Sequence, residues 1–485
     1  MTLQTIPFGE WTPDLADIGN PGLTLAQNVV THRGGYMPFK SISEDTTALS
    51  AYARGAFSAS DADGNSEVYA GDETKLYRLG STGTWADVSG STFSTDAENS
   101  WTFLKWGEKV IASNDETTQI RSFGASGNFA ALSGAPACKD MAVCRGFIVM
   151  GNVLSGSRYS NRVWWSGLEN ETAWTPSPAT QSDYQDLVGD GGRVMAVSGG
   201  DITVIFQERA IWEMEYVGPP TLFRFRQTST SIGCEATKSV IRYGNNIYFL
   251  SEDGFMEYQI GGRLTPIGHE KIDNWFFDRV NKDKYYRITS VSDVPNAKIM
   301  WGYCNGGGDP DEIIIYDWHT GMWSYAVIDH ELLYRGRSVG YTLDGLDTVS
   351  AQLDSLPASL DSEAWKGGAI YAYAFSTAHK SGTFEGSALT SRLETGEISS
   401  GSLNTLFCNN VRPIVEGSTA TNTLYIASRN TLQNNISYSS GVTVNDIGNH
   451  PFRVQGRFLR FRIDTAGGFE HAVGLRAELI EKGAR

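Results

Sequence analysis

The residues most able to do chemistry are scattered. Seven histidines stand at His32, His269, His319, His330, His379, His450 and His471. A hydrolytic zinc centre built on one helix needs two histidines four apart around a glutamate, and no such spacing occurs. No GxSxG elbow is present, and no P-loop. Gly306-Gly307-Gly308 runs into Asp309-Pro310-Asp311-Glu312 instead of Lys-Ser/Thr. A phosphate needs backbone N–H groups and a lysine, so this stretch reads as an acidic hairpin loop. Asp61-Ala62-Asp63-Gly64-Asn65 resembles the start of a calcium loop, but its twelfth place is Asp72 where a bidentate glutamate belongs. A hairpin turn is the better reading. The chain has 55 acidic residues, so a glycosidase pair cannot be told from the background by type alone. Five cysteines (Cys138, Cys144, Cys234, Cys304, Cys408) are odd in number and lack a CxxC spacing. They predict reduced, buried thiols and neither a zinc site nor a disulfide framework. The expectation is a protein with no catalytic residue, no cofactor and no metal.

The elements that would have to position any site are strands. Of 485 residues, 40% are apolar and 19% charged, with 53 glycines and 12% aromatics. That supports a packed core, and the Gly-rich, aromatic-rich balance with almost no long helical periodicity predicts an all-β chain. Only Glu270 to Val280 suits a short helix. KLYRLGSTGTWADVS near Tyr77 and IIIYDWHTGMWSYAV near Tyr316 both run a strand into Thr-Gly-x-Trp and out again. Gly83 and Gly321 supply the turn, and Trp85 and Trp323 open the return strand. A weaker copy places Gly127 before Phe129; another ends at Trp174 without a glycine. Positions 85, 129 and 174 are 44 and 45 residues apart, close to the roughly 40–45 residues of a four-stranded propeller blade. Further strand pairs fall at Asp201–Tyr216, Asn246–Tyr258 and Lys298–Cys304, with Asp253-Gly254 and Gly261-Gly262 as turns. A β-propeller is favoured over two stacked sandwiches.

After Trp365 the pattern changes to one compact, sandwich-like β domain, with strands at Ala369–Phe375, Asn410–Val415, Asn422–Ala427, Arg457–Ile463 and Ala472–Ile480. In RFLRFRI, Leu459, Phe461 and Ile463 share one face. Arg460 and Arg462 share the other, which predicts an outer face meeting solvent or an acidic neighbour. Between body and domain lies TLDGLDTVSAQLDSLPASLDSEAW, whose Leu346, Leu353 and Leu360 are seven apart. Gly345 and Pro357 rule against a coiled coil, so the segment reads as a strap with leucine anchors. The expected division is 1–45, an extended N-terminal segment; 46–341, a propeller-like body; 342–368, the strap; and 369–485, the C-terminal β domain.

Net charge is −16, and it is uneven: residues 1–375 carry 28 basic and 46 acidic side chains, residues 376–485 carry 11 and 9. An acidic body is a poor nucleic-acid binder. The N-terminus MTLQTIPFGEWTPDL has no signal-peptide pattern, and no apolar run approaches the ~20 residues of a membrane helix.

The strap motif, together with PDLADIGNPGLTLAQNVVTHRGGYMPF (Pro13–Phe39), VIFQERAIWEMEYVGPP (Val204–Pro220), SIGCEATKSVIRYGNNIYFLSEDGF (Ser231–Phe255) and GRFLRFRIDTAGGFEHAVG (Gly456–Gly474), resembles a family of structural proteins of short-tailed bacteriophages, the tail nozzle or tail tubular protein B-like components. The resemblance spans almost the whole chain. It implies a β-propeller with accessory β domains and a homo-oligomer, a hexameric ring below the adaptor and portal. It further implies contacts with adaptor and tail fibres or tailspikes, and transient passage of double-stranded DNA without specific binding. The protein would be a virion component assembled in host cytoplasm, with lumen carboxylates repelling phosphate. Two other readings remain: a host-surface glycan-binding propeller protein, and a propeller-fold hydrolase, since YDxxTxxW at Tyr316 to Trp323 is similar to kelch-type blades.

Overall fold

The computed structural model describes residues 2–61, 66–80, 82–337, 350, 352, 355–356, 370–401, 404–417 and 419–483. Leu346, Leu353 and Leu360 lie outside the described residues. Among these, strands dominate; one short helix spans Asp273–Phe277, and 3-10 turns span Thr237–Ser239 and Lys282–Arg287.

Seven antiparallel four-stranded units follow one another. Unit 1 comprises Gly55–Ser60, Ser66–Gly71, Leu76–Leu79 and Trp85–Asp87. Unit 2 comprises Thr102–Trp106, Lys109–Ser113, Thr118–Ser122 and Ala130–Ala131. Unit 3 comprises Ala137–Cys144, Phe147–Ser155, Ser157–Trp165 and Asp183–Asp186. Unit 4 comprises Val194–Ser198, Ile202–Gln207, Ile211–Gly218 and Leu222–Ser229. Unit 5 comprises Ile241–Tyr243, Asn246–Ser251, Gly254–Gln259 and Arg263–Pro266. Unit 6 comprises Thr289–Asp293, Lys298–Tyr303, Glu312–Asp317 and Trp323–Val327. Unit 7 takes three strands from late in the chain, Leu332–Arg337, Ile370–Phe375 and Ser381–Thr383, and its fourth, Ser43–Glu44, from early in it. The first strand of each unit packs beside the first strand of the next, with the Thr237–Ser239 turn intervening between units 4 and 5, and unit 7 packs beside unit 1.

Every junction between neighbouring units except that of units 5 and 6 has its own apolar core. Tyr69, Trp101, Val110 and Phe129 fill the junction of units 1 and 2. Ile111, Met141, Ile148 and Trp174 fill that of units 2 and 3. Phe147, Trp165 and Ile205 serve units 3 and 4, and Phe206, Phe249 and Tyr258 serve units 4 and 5. Val291, Ile313, Leu333 and Ala374 hold units 6 and 7; Val68, Trp85, Leu332 and Phe375 hold units 7 and 1. These sheets are buried on both faces, which is why their second strands, such as FIVMGNV and ITVIFQ, are apolar runs without alternation.

The turn aromatics therefore do more than cover a hairpin end. Trp85, Phe129, Trp174 and Trp323 are all buried between sheets. Gly83 and Gly321 both have φ of +72°, where a side chain is strained. Gly127 does not: the positive φ of its loop belongs to Gly124, at +65°. Trp174 sits in the loop before Asp183–Asp186 and opens no strand, its indole N–H donating to the Glu171 carbonyl at 2.6 Å.

The N-terminal segment is not a separate extended piece. Thr2–Pro7 pairs with His471–Lys482, which also pairs with Thr405–Glu416, and Val29–His32 and Gly35–Pro38 extend the same sheet. Leu23–Gln27 bridges Trp323–Val327 of unit 6 to Ser391–Thr395, so a second sheet runs continuously from unit 6 through Phe458–Ala466 and Thr421–Arg429. The two sheets, unit 6 and part of unit 5 share one core in which Trp11, Trp301, Trp323, Phe461 and Leu475 are buried. The boundary expected at 369 falls inside unit 7, because Ile370–Phe375 pairs with Leu332–Arg337.

Arg460 and Arg462 do not form an open outer face. Arg460 is 8% exposed and pairs with Asp17 at 2.5 Å and Glu394 at 2.9 Å, both from this chain. Arg462 pairs with Asp464 at 2.7 Å and lies 4.5 Å over the Tyr425 ring.

Candidate ligand pocket at the centre of the seven units

A cavity of about 340 Å³ opens among the first strands of units 1, 2, 3, 4, 6 and 7 and the Thr237–Ser239 turn that leads into unit 5. Its charged lining is Arg54, Asp140, Lys238, Arg287, Glu331 and Arg335; Tyr52 and Tyr286 add phenol rings. In a chain of net charge −16, this wall carries four cations and two carboxylates.

Both carboxylates are spent on holding units together. Asp140, on the first strand of unit 3, accepts from Thr102 Oγ1 of unit 2 at 3.1 Å, from the Val197 N–H of unit 4 at 2.8 Å and from Lys238 Nζ at 3.1 Å. One side chain thus ties three units and the turn leading into a fourth. Glu331, just before the first strand of unit 7, accepts from the Ala53 N–H at 2.9 Å, and its other oxygen meets His379 Nδ1. Burial raises its pKa. A general acid or nucleophile needs a carboxylate free to face substrate, and neither is. Among the described residues no group of three or more His, Cys, Asp or Glu could hold a metal ion. The five cysteines are free and buried, and burial lifts their thiols, Cys138 and Cys234 to about 12.

The cations are matched unequally. Arg54 donates to the Thr95 carbonyl at 2.7 Å and reaches Glu73 at 3.4 Å; burial lowers its pKa. Arg287 lies 4.0 Å over the Tyr52 ring and 3.8 Å from Asp309. Lys238 has Asp140. Arg335 is exposed to the cavity and has no hydrogen-bond or ion-pair partner among the described residues. Burial, then the charge of Arg337 two residues along the same strand, lowers its pKa. The Arg337 guanidinium donates to the Ser60 hydroxyl at 3.0 Å.

The wall is fixed from behind by Trp101. Its indole donates to the Asp72 carbonyl at 2.8 Å. It lies so close to Gly55 and Gly71 that a Cβ at Gly71 would stand 2.3 Å from Trp101 Cδ1. None of the pocket residues was among the sequence candidates. Each is a lone polar residue in or near the first strand of a unit or in the turn before it, and only their shared position within successive units would have grouped them.

No family model and no curated protein matches the chain. Matching solved structures include BBS1N in complex with ARL6DN (13% identity, TM-score 0.37, 61% of this chain and 90% of that one). Another is the extracellular domain of a putative hybrid two-component system from B. thetaiotaomicron (8%, 0.42, 86% and 48%). A third is PorZ, a surface component of the type-IX secretion system of Porphyromonas gingivalis (11%, 0.34, 70% and 38%). The chain spans less than half the length of the last two. The expected phage-tail nozzle function is corrected by this set. None of these three is a virion protein, and no family or curated match stands behind the resemblance. The nozzle role, the virion location and the phage-tail description are not retained. No helix among the described residues is long and apolar enough to cross a membrane. What the chain is similar to is a set of unrelated proteins at low identity, and its own architecture is almost entirely β, repeated small antiparallel sheets with a larger sheet at the C-terminal end, of the kind found in β-propeller and β-sandwich proteins.

Proposed function

We propose that the seven units are the blades of a closed propeller, with Ser43–Glu44 completing the last blade and a β-sandwich built from both ends of the chain as an accessory domain. We further propose that the protein is a non-enzymatic binding protein for surface glycans, with the central pocket as its ligand site. One observation carries the reading: six of the seven units, together with the turn that leads into unit 5, line a single cavity whose carboxylates act as ties, leaving cations, hydroxyls and phenol rings toward the space. Sugars are held by such a mixture, polar groups to their hydroxyls and ring faces to their C–H faces. The cavity size falls within the roughly 300–1,000 Å³ of small-molecule sites. The test is a glycan array probed with the full chain and with Tyr286→Ala. The phenol of Tyr286 meets Lys284 Nζ at 2.9 Å and its ring lies 5.7 Å from the Arg287 guanidinium, both neighbours in the same turn, so its loss spares the sheets. Selective glycan signals that weaken in the variant support the reading, and an array with no signal from the native chain overturns it.

A further inference from the structure

The central pocket has one feature that neutral sugars leave unused. Three of its four cations are already compensated: Lys238 by Asp140, Arg54 by Glu73, and Arg287 by Asp309 with the Tyr52 ring beneath it. Arg335 is not compensated by any described residue. It projects from the first strand of unit 7 into the cavity, and Arg337 follows it on the same face. Like charges at such positions oppose each other. Asp and Glu make up 55 residues of this chain, against 39 Lys and Arg. Pairing an arginine with one of them would be the ordinary outcome, so a guanidinium that lines the cavity and has no partner among the described residues marks a place for a negative group from outside.

We propose that the pocket selects acidic saccharides, with the carboxylate of a uronic-acid unit taken by the Arg335 guanidinium; this rests on the glycan-binding reading above. A guanidinium presents two parallel N–H donors that match the two oxygens of a carboxylate, and the pair is stronger away from bulk water. Lys238 and Arg287 line the same cavity and add positive potential without surrendering their own partners. The sugar ring then lies toward Tyr52 and Tyr286, which share the cavity.

The experiment is calorimetric titration of the full chain with an oligogalacturonate, with a neutral galacto-oligosaccharide of equal length, and with inorganic phosphate. Each is repeated on Arg335→Gln, on Arg335→Lys and on Arg412→Gln, an arginine of the remote sheet strand Thr405–Glu416. The acidic chain is expected to bind best, to weaken with added salt, and to lose roughly tenfold in affinity in Arg335→Gln, the scale of one bidentate charged pair. Arg335→Lys should lose less, and Arg412→Gln nothing. If both oligosaccharides bind equally and Arg335→Gln alters neither, acidic selection is overturned while glycan binding stands. If neither saccharide binds, the glycan reading falls as well. If phosphate binds as tightly as the acidic chain and depends on Arg335, the site takes oxyanions in general and saccharide selection is overturned. Unchanged thermal unfolding of Arg335→Gln keeps these outcomes apart from misfolding; should it unfold, Arg335→Lys alone decides by the ratio of acidic to neutral affinity.

Discussion

Units 1 to 4 and the region around unit 6 solve the same packing problem differently. Among the first four, each junction is closed by its own small core, with Phe129 buried in that of units 1 and 2, Trp174 in that of units 2 and 3 and Trp165 in that of units 3 and 4. Around unit 6, sheets from both ends of the chain join the same hydrogen-bonded ladder and one core extends from Phe255 and Trp301 to Phe461 and Leu475. Small adjacent cores allow one junction to open while the rest stay closed, whereas a shared core must be lost together. The Thr-Gly-x-Trp signature marks both regions, at Trp85 in a small core and at Trp323 in the shared one, so the repeat does not follow the manner of packing.

The strongest way to break the comparison is to remove one tryptophan from each region. Trp323 is fully buried and donates to the Ile267 carbonyl at 3.1 Å. Trp323→Ala should cost about 3–5 kcal/mol, and hydrogen exchange should quicken across unit 6, residues 1–45 and the C-terminal sheets alike. Trp85 is 8% exposed. Trp85→Ala should quicken exchange only in units 7 and 1. Equal spread of the two effects would erase the distinction.

Two buried titratable groups sharpen it with opposite signs. His330 packs against Gly302 between units 6 and 7, and burial pushes its pKa down to about 4 from 6.5. As pH falls from 6.5 to 4 the unfolded chain gains a proton that the folded chain refuses, so stability falls with pH. Asp273 lies beside the large core, cradled by Gly254 and Gly268, and burial lifts its carboxyl to about 6 from 3.8. Here the folded chain keeps a proton that the unfolded chain has released, so stability falls as pH rises from 3.8 to 6. Each effect is about 3 kcal/mol at full extent. His330→Asn should flatten the acid limb of a stability–pH curve and Asp273→Asn the limb toward neutral pH, both read by urea unfolding; a curve unchanged by either variant would contradict the assignment.

The smallest change is Gly71→Ala. Its new Cβ would meet Trp101, whose indole cannot move without leaving the Asp72 carbonyl. Overpacking of this kind costs about 1–3 kcal/mol. The loss should remain within units 1 and 2, measured by exchange, and should loosen the pocket wall enough to weaken glycan binding.

The sequence was legible where structure is local. Thr-Gly-x-Trp named two real turns, Asp253-Gly254 and Gly261-Gly262 fell between paired strands, and alternation placed the strands of the C-terminal region to within a few residues. It was not legible where partners are remote. Alternation along RFLRFRI put Arg460 outward, and only the arrival of Asp17, more than four hundred residues away, buries it. Ile370–Phe375 resembles its C-terminal neighbours in composition yet pairs across the strap with Leu332–Arg337. The pocket was invisible for the same reason: Asp140 acquires meaning only when Thr102, Val197 and Lys238 surround it.

The union of Ser43–Glu44 with Ser381–Thr383 has a consequence for synthesis. The earlier strand leaves the ribosome long before its partner exists, so it must wait, unpaired, while the intervening units are translated and fold. Release of the newborn chain in an assembled state then depends on its last quarter, and a premature stop before that point leaves a string of finished modules with nothing to fasten the first to the last.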